Sequence, residues 1–420
     1  MYRTQRRFAE KGEFLPEQGE GGAARGGNGR APTGGLAEIA LVFLRLGLIG
    51  FGGPAAHIAM MEEEVVARRR WISRERFLDL IGAVNLIPGP NSTEMAIHIG
   101  MVRAGLCGLV VAGACFVLPA TAITLGLAWA YVRFRSIPQA SSLLLGVKPV
   151  VVAIILSAVV RLGRTAVKTP GFAALGLAVF ALSLLGVNEI VLLLGSGAAG
   201  ILWFTVFRGR MRPAGFWLLG AMGSLAVASL VVGAVSAGDA TTWSSHPPSL
   251  TNIGLFFLKI GSVLFGSGYV LIAFLRGGLV AEYRWLTELQ LLDAVAIGQF
   301  TPGPVLSTAT FIGYLLAGWL GACVATVAIF LPSFLFVLAT NPLIPRIRRS
   351  PIAGGFLDAV NVGAIGLMAA VTAELGRAAL TGWVEWAIGL TALIGLVKFR
   401  LNPAWLVVGG AVVASALKAL

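Results

Sequence analysis

Two Pro-Gly-Pro triplets are the residues of this sequence whose types and spacing best suit the binding of an anion. Each interrupts an apolar stretch and is followed by short hydroxyl or amide side chains. The two sets are Pro88, Gly89, Pro90, Asn91, Ser92 and Thr93, and Pro302, Gly303, Pro304 and Ser307. Proline ends the preceding helix, and the unpaired N–H groups and positive dipole at the start of the next helix attract anions. The pattern predicts a small-oxyanion site where two such N-termini face each other.

Other polar side chains lie at matching positions near these triplets. Asn85 and Gln299 come three residues before them and are predicted to donate hydrogen bonds toward the break. Arg45 and Lys259 each lie inside an apolar span, where an ionisable group is a functional-site hypothesis by default, and two cations suit a dianion. The alternatives are snorkelling of both cations to the interface or pairing with acidic side chains. Those candidates are Asp79, Glu94 and Asp293.

A second pair of breaks follows the first apolar span of each half. Residues 51–54 read Phe-Gly-Gly-Pro, and residues 265–268 read Phe-Gly-Ser-Gly. With the prolines of the triplets, they are predicted to gate access to the site or to act as packing hinges. These residues are Gly52, Gly53, Pro54, Gly266, Gly268, Pro88, Pro90, Pro302 and Pro304. His57 and Glu94 are candidates for a coupling proton, and a satisfied histidine and a helix-capping carboxylate would also explain them.

The composition is that of a membrane protein. The chain has 420 residues, of which 57% are hydrophobic and 12% charged, whereas soluble domains are about 25% charged. Runs such as 106–131 and 190–207 approach or exceed the roughly 20 residues that a bilayer crossing needs. The net charge of +13 arises largely from arginine clusters in short loops, as in cytoplasmic loops. We therefore expect no nucleic acid partner, although the excess could attract an anionic substrate.

The chain is also duplicated. Trp71 corresponds to Trp285 and Asp79 to Asp293 at an offset of 214, and the offset becomes 213 where Arg161 corresponds to Glu374. We predict four segments: a disordered tail (1–35), repeat 1 (36–207), a linker with one apolar stretch at 216–237 (208–250), and repeat 2 (251–420). Matched Gly/Pro-interrupted apolar segments in two halves are a sequence signature of transporter substrate sites.

Each repeat follows one helical plan. A first span is followed by an amphipathic piece and by two short helices, 74–87 and 91–103 in repeat 1, that flank the Pro-Gly-Pro break. About 14 residues rise only ~21 Å, so this pair predicts a re-entrant hairpin next to protein or a wet cavity. Longer spans follow from residue 106. The fold class is an all-α polytopic membrane protein with two repeats, which are inverted if each half crosses an odd number of times.

Enzyme signatures are missing from the sequence. It contains no Walker loop, no His/Cys metal set and no nucleophile elbow with partners. We therefore expect no enzyme activity, cofactor or metal site, and transport that is secondary rather than driven by ATP.

The motifs in order resemble the chromate ion transporter family. Phe51-Gly52-Gly53-Pro54 with His57, Trp71, Phe77, Pro88-Gly89-Pro90 and Ile99-Gly100 carry the resemblance, which extends over nearly everything from residue 37. It implies a multi-pass carrier in the cell membrane that exports chromate and confers chromate resistance, with two antiparallel halves and sulfate as a competing analogue. Repeat 2 departs from the pattern, since its first motif lacks the proline and histidine. A strictly symmetric site is therefore not expected.

Two alternatives remain open from the sequence. A carrier of sulfate or another tetrahedral oxyanion would use the same residues, and an anion channel would use the same pore. The coupling ion, transport direction, number of crossings and oligomeric state are not predicted.

Overall fold

The computed structural model describes most of the two repeats. The described residues are 34–50, 53–85, 87–134, 138–207, 248–265, 268–340, 351–399 and 401–419. Nearly all of the predicted tail, the linker stretch at 216–237, and the predicted gating residues Gly52 and Gly266 lie outside them.

The described residues form helices joined by short connections. Repeat 1 contains α1 (Gly34–Ile49), α2 (Pro54–Met61), a π-helical turn (Glu62–Arg68), α3 (Arg74–Val84), α4 (Asn91–Phe134), α5 (Pro138–Ala166), α6 (Pro170–Leu184) and α7 (Glu189–Phe207). Repeat 2 contains α8 (Leu250–Val263), a 3₁₀ turn (Gly268–Val270), α9 (Leu271–Leu275), a π-helical turn (Arg276–Glu282), α10 (Glu288–Phe300), a 3₁₀ turn (Val305–Ser307), α11 (Thr308–Thr340), α12 (Pro351–Ala379), α13 (Trp383–Val397) and α14 (Pro403–Ala419).

The duplication extends to backbone detail. Ser73 caps the N-terminus of α3 by accepting from the Arg76 amide, and Thr287, its counterpart, caps α10. Just before these caps, Arg70 and Arg284 share an uncommon positive φ of 50° and 54°. Two equivalent arginines hold this conformation, so the two repeats fold alike through their broken regions.

The predicted short helix 91–103 and the span that follows it are confirmed as two parts of α4. The backbone leaves helical geometry at Ala104 and Gly105, and the chain folds back on itself there. A Cβ on Gly100 would lie 2.2 Å from the Gly108 carbonyl oxygen, so the two parts touch backbone to backbone, as small residues allow in membrane helices. In repeat 2, α11 breaks in the same way at residues 317–318.

The helices form two bundles that each combine both repeats. In the first bundle, α1 packs on α4, α8 packs on α11, and α4 packs on α11. This bundle also includes α3, which packs on α4, α10, which packs on α11, and the π-helical turn Arg276–Glu282, which packs on α10. In the second bundle, α5 packs on α12, α13 and α14, while α6 and α7 pack on α12. Each bundle is thus a pair of equivalent halves, one from each repeat.

The bundles meet asymmetrically. The second bundle packs through α5, α12 and α14 against α10 of repeat 2, and one apolar core joins them. The equivalent helix of repeat 1, α3, packs against α4 and belongs to a separate core built from α1–α4. Among the described residues, the second bundle therefore packs on the α10 helix of repeat 2 and not on the equivalent α3 helix of repeat 1.

Four described helical segments are long and apolar enough to cross a membrane. They are Asn91–Phe134, Gly146–Ala166, Val305–Thr340 and Gly354–Ala379. Shorter apolar helices accompany them in both repeats. The prediction of an all-α polytopic membrane protein with two homologous repeats is confirmed.

Candidate functional site

Each Pro-Gly-Pro break is bonded to the first helix of the other repeat. The Gly89 N–H donates to the Leu264 carbonyl oxygen at 2.6 Å, and the Gly303 N–H donates to the Gly50 carbonyl oxygen at 2.7 Å. Gly50 and Leu264 are equivalent positions just beyond the ends of α1 and α8. Reciprocal contacts of this kind define a pseudo-two-fold relation between the repeats.

These bonds change which amides remain for a ligand. The N–H groups around Gly89 and Gly303 are predicted to bind an anion, but the amides of both glycines are used between the repeats. The Thr93 and Ser307 amides donate to the carbonyls of Pro90 and Pro304. The amides left in the first turns are those of Asn91 and Ser92, and of Val305 and Leu306, where a helix has no internal acceptors.

A partly open cavity lies at the second break, and its empty space is about 360 Å³ when the adjoining open solvent is included. Both repeats and both bundles line it, through residues Gly50, Gly53, Tyr269, Gly298, Gln299, Thr301, Gly303, Val305, Asn402 and Pro403. Val305 starts the helical turn after the break, so a helix N-terminus opens into the cavity.

One chain of polar groups connects this cavity to a cation. The Gln299 amide nitrogen has no partner among the described residues, and its oxygen lies 3.5 Å from the Tyr269 hydroxyl. Tyr269 in turn interacts with the Arg161 guanidinium from α5 of the second bundle. Neither Arg161 nor Tyr269 is among the residues predicted for the site, and nothing local in the sequence distinguishes either from a structural residue.

The structure does not bring Arg45 and Lys259 to this cavity. Arg45 is exposed on the face of α1 that also exposes Leu41 and Leu48, 65% and 48% accessible. Lys259 is exposed on α8 beside Leu255, which is 60% accessible. Helical spacing places both cations on faces away from the breaks. Their assignment to charge neutralisation at the breaks therefore lacks the contact that it requires.

The first break does not line this cavity, and it differs from the second break in the buried polar side chains that surround it. Ser92, Thr93 and Glu94 are fully buried, and neither carboxylate oxygen of Glu94 has a partner among the described residues. A Cβ on Gly89 would lie 2.2 Å from one Glu94 oxygen and 2.7 Å from the Ser333 hydroxyl. Each break therefore forms its own junction with the other repeat.

Four further predicted residues lie at the ends of the breaks. Asn91 donates its amide to the Asn85 side-chain oxygen at 2.7 Å, so these residues bridge the first break. The buried Ser307 hydroxyl has no partner among the described residues and lies in the turn that begins at the cavity. Pro54 begins α2 directly after Gly53, whose φ is 79°.

His57 supports the junction at the second break. Its Nε2 lies 2.9 Å from the Gly50 carbonyl oxygen, the same oxygen that accepts from Gly303. The ring is buried and packs edge-on against Phe116. Repeat 2 has Leu271 at this position, so this second donor exists on one side only.

Comparison with known proteins gives the same family match in both repeats. The family model described as chromate transporter matches residues 37–201 and again residues 251–415. No solved structure matches the chain.

Several curated relatives cover nearly the whole chain. A chromate transport protein of Cupriavidus metallidurans is 36% identical over 386 residues, 91% of this chain and 92% of the relative. A probable chromate transport protein of Synechococcus elongatus is 33% identical over 86% of this chain and 90% of the relative. A chromate transport protein of Pseudomonas aeruginosa is 32% identical over 80% of each.

Proposed function

The chain belongs to the chromate transporter family, and on that premise we propose that it is a secondary carrier that exports chromate across the plasma membrane. The observation that carries the proposal is the cavity at the second break, where a helix N-terminus and the Gln299 amide meet Tyr269, which interacts with the exposed Arg161 guanidinium. Amide donors, a dipole and one cation suit a tetrahedral dianion. Export of chromate would confer resistance to it.

The proposal divides the predicted residues by role. The amides of Val305 and Leu306, the Ser307 hydroxyl and the Gln299 amide bind oxygens of the anion at the second break. Asn85, Asn91, Ser92 and Thr93 hold the equivalent helix start at the first break. Gly89 and Gly303, with their flanking prolines, fix both junctions, and the bends at Gly53–Pro54 and Gly268 permit access.

The carrier cycle is supported by an ionic contact between the bundles. Arg276 of the first bundle pairs with Glu374 of α12 at 2.7 Å, and with Glu288 at 2.9 Å. Repeat 1 has the same three positions with every charge reversed: Glu62, Arg74 and Arg161. Glu62 and Arg74 pair at 3.5 Å, while Arg161 interacts with Tyr269 beside the cavity.

This reversal suits alternating access by rocking of one bundle on the other. If the second bundle moves from repeat 2 to repeat 1, Arg161 meets Glu62 and Asn361 meets Asp79. Arg161 then leaves Tyr269 at the edge of the cavity, and the bound anion loses the nearby cation and is released. An ion gradient drives the cycle, with the buried Glu94 as one group that can carry a proton and His57 as a structural donor.

The decisive experiment is transport in proteoliposomes. We expect saturable uptake of labelled chromate, counterflow of preloaded chromate, and a response to an imposed pH gradient. Flux that does not saturate would identify a channel. Transport of labelled sulfate without chromate would identify a carrier of the other oxyanion. Export is checked in inside-out membrane vesicles.

A matched set of arginine and lysine variants tests the assignment of the cation. Arg161→Ala should lower chromate uptake about 10- to 100-fold at low substrate concentration, because hydrogen bonds to charged groups contribute about 1.5–3 kcal/mol. Arg45→Ala and Lys259→Ala should stay within about twofold of the parent, as exposed substitutions usually do. A large loss of uptake in Arg45→Ala and Lys259→Ala, with little change in Arg161→Ala, would instead assign charge neutralisation to Arg45 and Lys259.

A further inference from the structure

The structure contains a buried ion pair between the bundles that the transport site does not use. Lys148 Nζ of α5 lies 3.7 Å from Asp293 Oδ1 of α10, with side chains 12% and 5% exposed. The Tyr131 hydroxyl of α4 donates to Asp293 Oδ2 at 2.9 Å. Three helices thus meet at one carboxylate inside the apolar core.

We propose that Asp293 is a proton-binding site whose occupancy controls the contact between the two bundles. The inference rests on the proposed carrier function. A proton added to Oδ1, the oxygen that Tyr131 leaves free, converts the carboxylate to a neutral acid. Lys148 then loses its counter-charge, and α5 is released from α10.

The position of Asp293 connects this event to the transport site. Helix α10 carries Asp293 near its middle and Gly298 and Gln299, which line the cavity, near its end. A change in how α10 packs against α5 is therefore transmitted along α10 to the residues that line the anion cavity. Ionisable groups buried in membrane helices typically serve such relays.

The charges around Asp293 favour a proton over a metal ion. Lys148 and the Tyr131 phenol are the titratable groups that act on it, and the described parts of α11, α12 and α14 place no charged group against it. The described residues contain no cluster of three or more metal-ligating side chains. A bound metal cation would meet the Lys148 ammonium with one carboxylate to offset it, whereas a proton removes the carboxylate charge without adding a second full cation beside the ammonium.

A structural ion pair would explain the contact less well. One oxygen of Asp293 makes no hydrogen bond among the described residues, and a buried pair left partly unsatisfied is poor evidence for stability. The pair is also not duplicated. Repeat 1 has Asp79 at the equivalent of Asp293, but Asn361 stands at the equivalent of Lys148 in repeat 2.

Full-length protein in proteoliposomes provides the test, with Asp293→Asn and its repeat-1 match Asp79→Asn. Chromate counterflow at equal pH reports binding and exchange, and uptake under an imposed pH gradient reports coupling. Asp293→Asn should keep counterflow within about twofold but lose the gradient stimulation about tenfold or more, as coupling free energies of 1–3 kcal/mol allow. Asp79→Asn should keep both.

A second variant keeps the test informative if Asp293→Asn does not fold. Lys148→Asn removes the cation that stabilises the charged carboxylate, so the pH of half-maximal stimulation should move upward. A normal gradient response in Asp293→Asn, an equal loss in Asp79→Asn, or an unmoved pH profile in Lys148→Asn would overturn the inference. Absence of chromate counterflow in the parent protein would instead refute the proposed function.

Discussion

Replacing Gly303 with valine should reduce chromate transport on the order of 100-fold, because strain at positive φ costs about 1–3 kcal/mol and overlap adds to it. Gly303 has a φ of 95°, and a Cβ there would lie 2.8 Å from the Ala120 Cβ and 3.3 Å from the Gly47 carbonyl oxygen. Both neighbours belong to repeat 1. A side chain at this position would push the second break away from the first helix of repeat 1.

The measurement is chromate counterflow in proteoliposomes, with size-exclusion profile and thermal unfolding of the purified protein beside it. Gly303→Ala should give an intermediate loss, since the added group is smaller. Gly126→Val is the matched control, because a Cβ on Gly126 meets no atom within 4 Å. Parent-like flux in a folded Gly303→Val protein would show that the reciprocal bond between the repeats is dispensable.

Cross-linking of the double variant Asp79→Cys/Asn361→Cys should arrest transport almost completely. The two positions match Asp293 and Lys148, which are in contact in the structure, by the offsets of 214 and 213. Rocking of the second bundle onto repeat 1 would bring the two introduced thiols together. A short bifunctional thiol reagent would then hold the carrier in that state.

The experiment starts from a protein without Cys107, Cys115 and Cys323, the free cysteines among the described residues. Asp79→Cys alone and Asn361→Cys alone, treated with the same reagent, should each transport as well as their own untreated forms, because a single thiol gives the reagent no second site to link. The linked product is detected by intact-protein mass. If the two reactive thiols do not link during turnover, the second bundle does not move from repeat 2 to the equivalent position on repeat 1, and the proposed rocking is wrong.

Some features of the site followed from local sequence. Proline cannot continue a helix, so the breaks at residues 88–90 and 302–304 and the short helices around them were predictable from residue type. The matched positions of these two breaks also indicated that the chain is duplicated. The face of α1 on which Arg45 lies could not be predicted, because α1 is apolar on nearly all sides, with exposed Leu41 and buried Phe43 alike. Its sequence therefore carries no signal for which face meets the core.

The contacts that each break makes could not be predicted for a related reason. Two equivalent sequences show which positions correspond, but not which partner each one contacts. The structure pairs Gly303 with Gly50, and Gly89 with Leu264, and this exchange separates the breaks into two junctions. Arg161 interacts with Tyr269 of the other repeat, and local sequence does not encode such a long-range contact.

The membrane class, the two repeats and the positions of the helix breaks could be predicted from the residues, because apolar length and proline chemistry act within a few positions. The family was indicated by the resemblance of the motifs. Helix packing was needed to show which break opens into a cavity, which cation lies beside it and where the Lys148–Asp293 pair joins the bundles. Those contacts link residues more than 100 positions apart. They depend on how whole helices pack, and two repeats with nearly the same local sequence pack differently against one shared bundle.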